Sequence, residues 1–185
     1  SLNIVTKWTF QFAILSVIFA FSVGLFLSII LNKEDLKFKR IYRSIFILPY
    51  AIPAFVSVLV WKGILNPDYG VVNAWLSPIY ELLDVEPIRW FLTKDSSRAA
   101  VLLVNTWLGF PYMFLITTGA LQSIPKELTE AAKVDGATGI QSFWKITLPL
   151  LMVSISPLLI GAFAFNFNNF TLVFLLTGGG PPVVG

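Results

Sequence analysis

Three asparagines, Asn166, Asn168 and Asn169, stand inside an otherwise apolar run that extends from Leu148 to Leu176. A fourth, Asn105, lies in a second such run between Arg98 and Lys126. An amide in hydrocarbon is costly unless it meets a partner or water. It carries both a donor and an acceptor, so the chemistry on offer is hydrogen bonding to an uncharged partner. At helical spacing Asn105, Gly109 and Tyr112 fall at i, i+4 and i+7, with Leu108 beside them. Asn166 and Asn169 are three apart, with Ala162 one turn earlier, so they are expected to point roughly the same way. Tyr112 adds an apolar plate with a polar tip. Together Asn105, Leu108, Gly109, Tyr112, Asn166 and Asn169 suit a neutral, hydroxyl-rich ligand such as a sugar. The competing reading is that the asparagines bond one another across packed helices. Asn168 points off the shared face and fits that structural role better.

The elements that must position these residues follow from composition. Of 185 residues, 56% are hydrophobic and 12% charged, about half the charge of a soluble domain. The fold class expected is all-α, a polytopic membrane helical bundle with four spans. There is no Cys and no His, which excludes thiol chemistry, disulfides and His-ligated metal sites. The chain starts without Met and ends on Pro181-Pro182-Val183-Val184-Gly185, so it reads as a piece of a longer polypeptide. Residues 8–31 form the first expected span, long enough to cross a bilayer. Within it Ser16, Ala20, Gly24 and Ser28 recur every four residues, a stripe that lets two membrane helices pack backbone to backbone. Residues 44–61 form the second, with Pro49 and Pro53 expected to bend it. The third is expected at 98–124 and the fourth at 148–176.

Orientation comes from charge. The connector after the first span holds Lys33, Lys37, Lys39, Arg40 and Arg43 against Glu34 and Asp35, and short basic loops stay in the cytoplasm. Residues 62–97 are then an external interfacial loop, opening on the turn Asn66-Pro67-Asp68-Tyr69-Gly70. Trp75, Tyr80 and Trp90 are expected to anchor it at headgroup level. Inside loops carry eight basic residues and outside segments five, a bias of the right sign.

Residues 125–147 form the one long polar interval between apolar runs, holding Lys126, Glu127, Glu130, Lys133, Asp135 and Lys145. Pro125 suits a first helical turn, and early carboxylates suit the positive end of a helix dipole. Leu128, Ala131, Ala132 and Asp135 share one helical face, where two alanines allow another surface to approach closely. Gly136 and Gly139 are expected to interrupt this helix, with a second short one over Gln141 to Ile146.

The spacing Glu130-Ala131-Ala132, three residues, Gly136, nine residues, then Ile146-Thr147-Leu148-Pro149 resembles the cytoplasmic coupling loop of ABC-importer permeases. Further strings, Ile47 through Pro53, Val104 through Tyr112, Lys145 through Leu151 and Phe163 through Phe170, are similar to the larger permease subunit of bacterial maltose/maltodextrin importers. The similarity runs from about Trp8 to Pro181. It implies that Asn105, Leu108, Gly109, Tyr112, Asn166 and Asn169 line a sugar site. Ala162 stands where the family's best-known member has a serine, so one sugar hydrogen bond differs. Glu130, Ala131, Ala132, Asp135 and Gly136 would belong to the helix that receives the ATPase.

The resemblance further implies a second permease subunit, an ATPase dimer and an extracytoplasmic sugar-binding protein as partners, with membrane lipid around the spans, in a bacterial cytoplasmic (inner) membrane. No cofactor is expected in this chain, since Mg-ATP would bind the separate ATPase and no GxxxxGK loop occurs here. Neither an enzymatic activity nor a nucleic-acid partner is expected. The expected function is passage of a neutral oligosaccharide such as maltose or maltodextrin. The alternatives are an ABC permease for another neutral solute, or a stand-alone channel or secondary carrier. Apart from Arg98 at the edge of the third, the four runs hold no charged residue, which disfavours the carrier, because ion-coupled carriers use buried acids.

Overall fold

The computed structural model describes residues 2–33 and 36–179. Among the described residues the regular elements are all helices: α1 (Leu2–Asn32), α2 (Lys39–Ala51), α3 (Ala54–Ile64), α4 (Val71–Leu83), α5 (Lys94–Ser123), α6 (Lys126–Val134), α7 (Gly139–Ser142), α8 (Leu148–Phe167) and α9 (Phe170–Thr177). Three stretches, Leu2–Asn32, Lys94–Ser123 and Gly139–Phe167, are long and apolar enough to cross a membrane, and α2 with α3 makes a fourth if that broken pair is one span. The sequence end from Gly180 to Pro182, expected on the outer side, lies outside the described residues.

The helices form two compact units, one of residues up to Leu48 and Gly109–Phe167, the other of Pro49–Leu108 and the residues from Asn168. In the first unit the small stripe of α1 is a packing seam. A Cβ built on Gly24 would lie 2.6 Å from the backbone nitrogen of Phe114 in α5, so only glycine fits there. One turn along, the Ser28 hydroxyl meets Thr117 Oγ1 at 2.6 Å and Thr118 Oγ1 at 2.9 Å, and donates to the Phe114 carbonyl. These bonds satisfy the hydroxyls that a close, small-residue interface would otherwise strand in hydrocarbon. A second layer, Ala120 and Leu121 of α5 against Leu151 and Ile155 of α8, is buried under Phe21, Leu25 and Ile29 of α1.

In the second unit α3 packs on α9, and Trp61 meets Trp107 edge to face at 5.8 Å. The segment of residues 62–97 is organised by one residue that sequence reading missed. Asn73 is 7% exposed. Its amide donates to the carbonyls of Pro67 (3.2 Å) and Ile88 (2.9 Å), and its Oδ1 accepts from Tyr80 Oη (3.1 Å) and Trp90 Nε1 (3.0 Å). Tyr80 and Trp90 are therefore buried and tied inward, not anchors at the headgroups; Trp75 alone of the three is exposed. A buried Asn is stable only when its donors and acceptor are met, and here one side chain closes a loop of more than twenty residues. The available signal was Asn73 and Tyr80 at i and i+7 on one face of an amphipathic helix. The turn before it forms as expected, with Asn66 Oδ1 accepting from the amides of Asp68 and Tyr69.

Two expected helices are broken. The run 44–61 is interrupted at Ile52-Pro53 between α2 and α3, because a residue before proline disfavours the helical region. The run 148–176 ends its first helix at Phe167, and α9 starts only after Asn169.

Candidate functional site

The second break decides where the polar residues go. Asn169 has φ −80° and ψ 80°, and its Oδ1 accepts from the amide of Leu172 at 3.3 Å, capping α9. Asparagine is a strong N-cap and a weak helix interior residue. Asn166 stays in the last turn of α8, where its Nδ2 donates to the Ala162 carbonyl at 2.8 Å. The expectation that Asn166 and Asn169 share one helical face is thus overturned: they belong to different helices and to different units.

Within the second unit, Asn169 Nδ2 donates to Asn105 Oδ1 at 3.3 Å. Asn105 is 6% exposed, Asn169 partly buried, and Leu108 partly buried one turn on. This pair is an amide ladder joining α5 to the cap of α9, bridging residues far apart in sequence. Within the first unit, α5 continues unbroken through Pro111, so Gly109 and Tyr112 sit three residues apart on it, both partly buried. A Cβ on Gly109 would lie 3.2 Å from the Ala20 Cβ of α1. Its smallness therefore serves the helix seam as well as any ligand. Ala162 and Asn166 are likewise partly buried.

No Lys, Arg, Asp or Glu occurs between Arg98 and Lys126 or beyond Lys145. The polar set is neutral, and it can exchange hydrogen bonds with a neutral ligand without a counter-ion. Among the described residues no group of three carboxylates stands ready for a metal ion.

The second candidate region is the polar interval. Helix α6 starts behind Pro125 and carries Glu130, Ala131 and Ala132, the first two exposed and the third partly buried. Gly136 has φ +85°. The amides of Ala137 and Gly136 reach back to the carbonyls of Ala132 (2.9 Å) and Lys133 (3.0 Å), the double bond pattern of a Schellman cap. Asp135 and Gly136 are exposed at this end. Gly139 does not interrupt a helix, as expected from sequence, but begins one. Thr138 Oγ1 accepts from Gln141 N while Gln141 Oε1 accepts from Thr138 N, a reciprocal capping box. A π-helical turn over Phe143–Thr147 then leads into α8. Its wider ring is the way a helix absorbs Pro149, which lacks an N–H and would crowd the carbonyl four residues back.

Two regions of this shape in a polytopic helical chain point to a transport component, and the sequence match decides it. Residues 20–185 match the family described as binding-protein-dependent transport system inner membrane component. The chain belongs to that family. This permease is 47% identical over 178 residues to the maltose/maltodextrin transport system permease protein MalF of Salmonella typhimurium, covering 96% of the chain and 34% of that protein. It is 42% identical over 181 residues to the galactooligosaccharides transport system permease protein GanP of Bacillus subtilis, covering 98% of the chain and 43% of that protein. A solved bacterial alginate ABC transporter, in complex with an alginate pentasaccharide-bound periplasmic protein, superposes with TM-score 0.77 at 26% identity, over 92% of this permease and 59% of that chain. The permease therefore spans between about a third and three-fifths of the proteins it matches. Its architecture is that of an ABC-importer permease core, a membrane-spanning transport component and not an enzyme.

Proposed function

We propose that the chain is the core of the larger permease subunit of an ATP-driven importer that moves maltose or maltodextrin across the bacterial cytoplasmic membrane. The observation that carries this reading is 47% identity with a maltose/maltodextrin permease across 96% of the chain. The neutral polar set supports it. Asn105, Leu108 and Asn169 in one unit, and Gly109, Tyr112 and Asn166 in the other, each offer amides or an aromatic plate suited to sugar hydroxyls, in spans that carry no charge to bind an ionic solute.

In this reading the basic connector and residues 125–147 face the cytoplasm, and residues 62–97 face outward. An ATPase dimer docks on α6 around Glu130, Ala131 and Ala132, with the Gly136 cap fixing the exit of the chain. When the dimer closes on ATP, α6 is pushed and the spans tilt about the sugar. A second permease subunit completes the pathway, and an extracytoplasmic binding protein delivers the sugar. Binding energy is thus used to switch states, which requires the sugar to bind one state better than the other.

A second neutral sugar is favoured by one observation, the 42% identity with a galactooligosaccharide permease. The experiment is uptake by cells carrying the intact protein with its partners, using labelled maltose, maltotriose and a galactooligosaccharide. Uptake of the α-glucans that depends on the ATPase is expected. Uptake of the galactooligosaccharide alone would assign the second sugar, and uptake without the ATPase would overturn the importer reading.

A further inference from the structure

We infer, resting on the docking of an ATPase on α6 proposed above, that the π turn Phe143–Thr147 is the joint through which movement of α6 enters α8. Among the described residues it is the only π turn. Such turns are rare, and inside a helix they often mark a functional site. Proline alone does not demand one here. Pro111 of α5 and Pro157 of α8 each follow an ordinary α-helical turn, although each lacks the same N–H as Pro149. The wider ring before Pro149 is therefore also held open by what packs on it.

That packing has two sides. Helices α6 and α7 lie against the π turn, and Ser142 just before it is 6% exposed. Beyond the turn, Leu148 packs on the buried layer of Ala120, Leu121, Leu151 and Ile155, which fixes the start of α8. The amide of Leu148 donates to the carbonyl of Phe143, five residues back; in an α-helix its acceptor would be Trp144. Closing the ring by one residue turns what precedes it by about 100° and shifts it by about 1.5 Å, the step of one helical residue. One backbone bond then replaces another. The Ser142 hydroxyl is buried without a hydrogen-bond partner, so packing and not full hydrogen bonding sets the shape of this stretch. A ring set by packing follows the elements packed on it. The Gly136 cap and the Thr138–Gln141 box are closed, which leaves the π turn as the point that yields.

The test uses the intact transporter complex in nanodiscs, with amide hydrogen exchange read by mass spectrometry over residues 143–148. The nucleotide-free complex is compared with the complex closed on a non-hydrolysable ATP analogue. Exchange at 143–148 should change about tenfold between them, the effect of one backbone hydrogen bond, while residues 151–156 of α8 stay unchanged. Pro149→Ala restores the missing N–H and favours a continuous α-helix. It should abolish that change and lower sugar-stimulated ATP hydrolysis about tenfold, at an unchanged or higher melting temperature. Pro157→Ala, the same substitution beside an ordinary turn, should keep the stimulation. Equal exchange at 143–148 in both states would overturn the joint, even if the Pro149→Ala complex does not assemble. So would full stimulation in an assembled Pro149→Ala complex. Failure of every sugar to stimulate the unaltered complex would count against the importer reading alone, because the change in exchange with nucleotide needs no sugar.

Discussion

The polar interval around α6 and the amide pair of α5 and α9 differ in how far their bonds reach. The Gly136 cap and the Thr138–Gln141 box join residues five or fewer apart. The Asn169–Asn105 bond joins residues 64 apart. A region held by local bonds keeps its shape as a rigid tool, whatever the spans around it do. A region held by one long-range amide pair changes whenever the helices that carry the two amides move. The contrast matches the two tasks proposed for them, transmission of a push and response to a ligand. Substitutions in the two regions should accordingly fail in different ways.

The largest effect is expected at Asn169. Asn169→Leu removes the cap of α9, worth about 1 kcal/mol, and the interhelical bond to Asn105, worth about 0.5–1.5 kcal/mol. The purified complex should melt several degrees lower and lose sugar transport together. A normal melting temperature would show that the amide ladder carries no structural weight.

Gly136→Val comes next. Nothing lies within 4 Å of a Cβ at this position, so the cost is conformational alone, about 1–3 kcal/mol for a branched residue at positive φ. The expected defect is in ATPase coupling or complex yield, with sugar binding retained. Gly136→Asn, which tolerates the left-handed region, should restore most of the loss. Equal defects in both variants would point to the side chain and not to the backbone.

The smallest structural effect is expected at Glu130, which is exposed on α6. Glu130→Lys should leave the melting temperature of the permease unchanged and lower sugar-stimulated ATP hydrolysis, because a cation would then oppose a basic docking partner. Unchanged stimulation and transport would remove Glu130 from the docking contact.

The same difference in reach explains what could be read from sequence. The Schellman glycine was legible because its conformation depends on its neighbours, and the stripe Ser16, Ala20, Gly24, Ser28 because periodicity alone marks a seam. Gly139 was misread since a glycine in a polar run looks like a breaker until the Thr138–Gln141 box is considered. The fourth span was expected unbroken because its hydropathy is uninterrupted. Hydropathy cannot register that Asn169 gains more from capping α9 and meeting Asn105 than from a place in a helix interior. Tyr80 and Trp90 were assigned to the headgroups by type, whereas one buried Asn73 turns both inward.

The account's central claim is that the neutral amides of these spans recognise sugar, and Asn166 tests it most directly. Its amide donates to the carbonyl of Ala162 in its own helix, and reading affinity and melting temperature together on Asn166→Leu separates recognition from assembly. The measurement is maltotriose affinity and melting temperature on the same purified complexes, variant beside unaltered. The account predicts affinity weakened about tenfold, the loss of one neutral hydrogen bond, at an unchanged melting temperature. A lowered melting temperature with unchanged maltotriose affinity would contradict it.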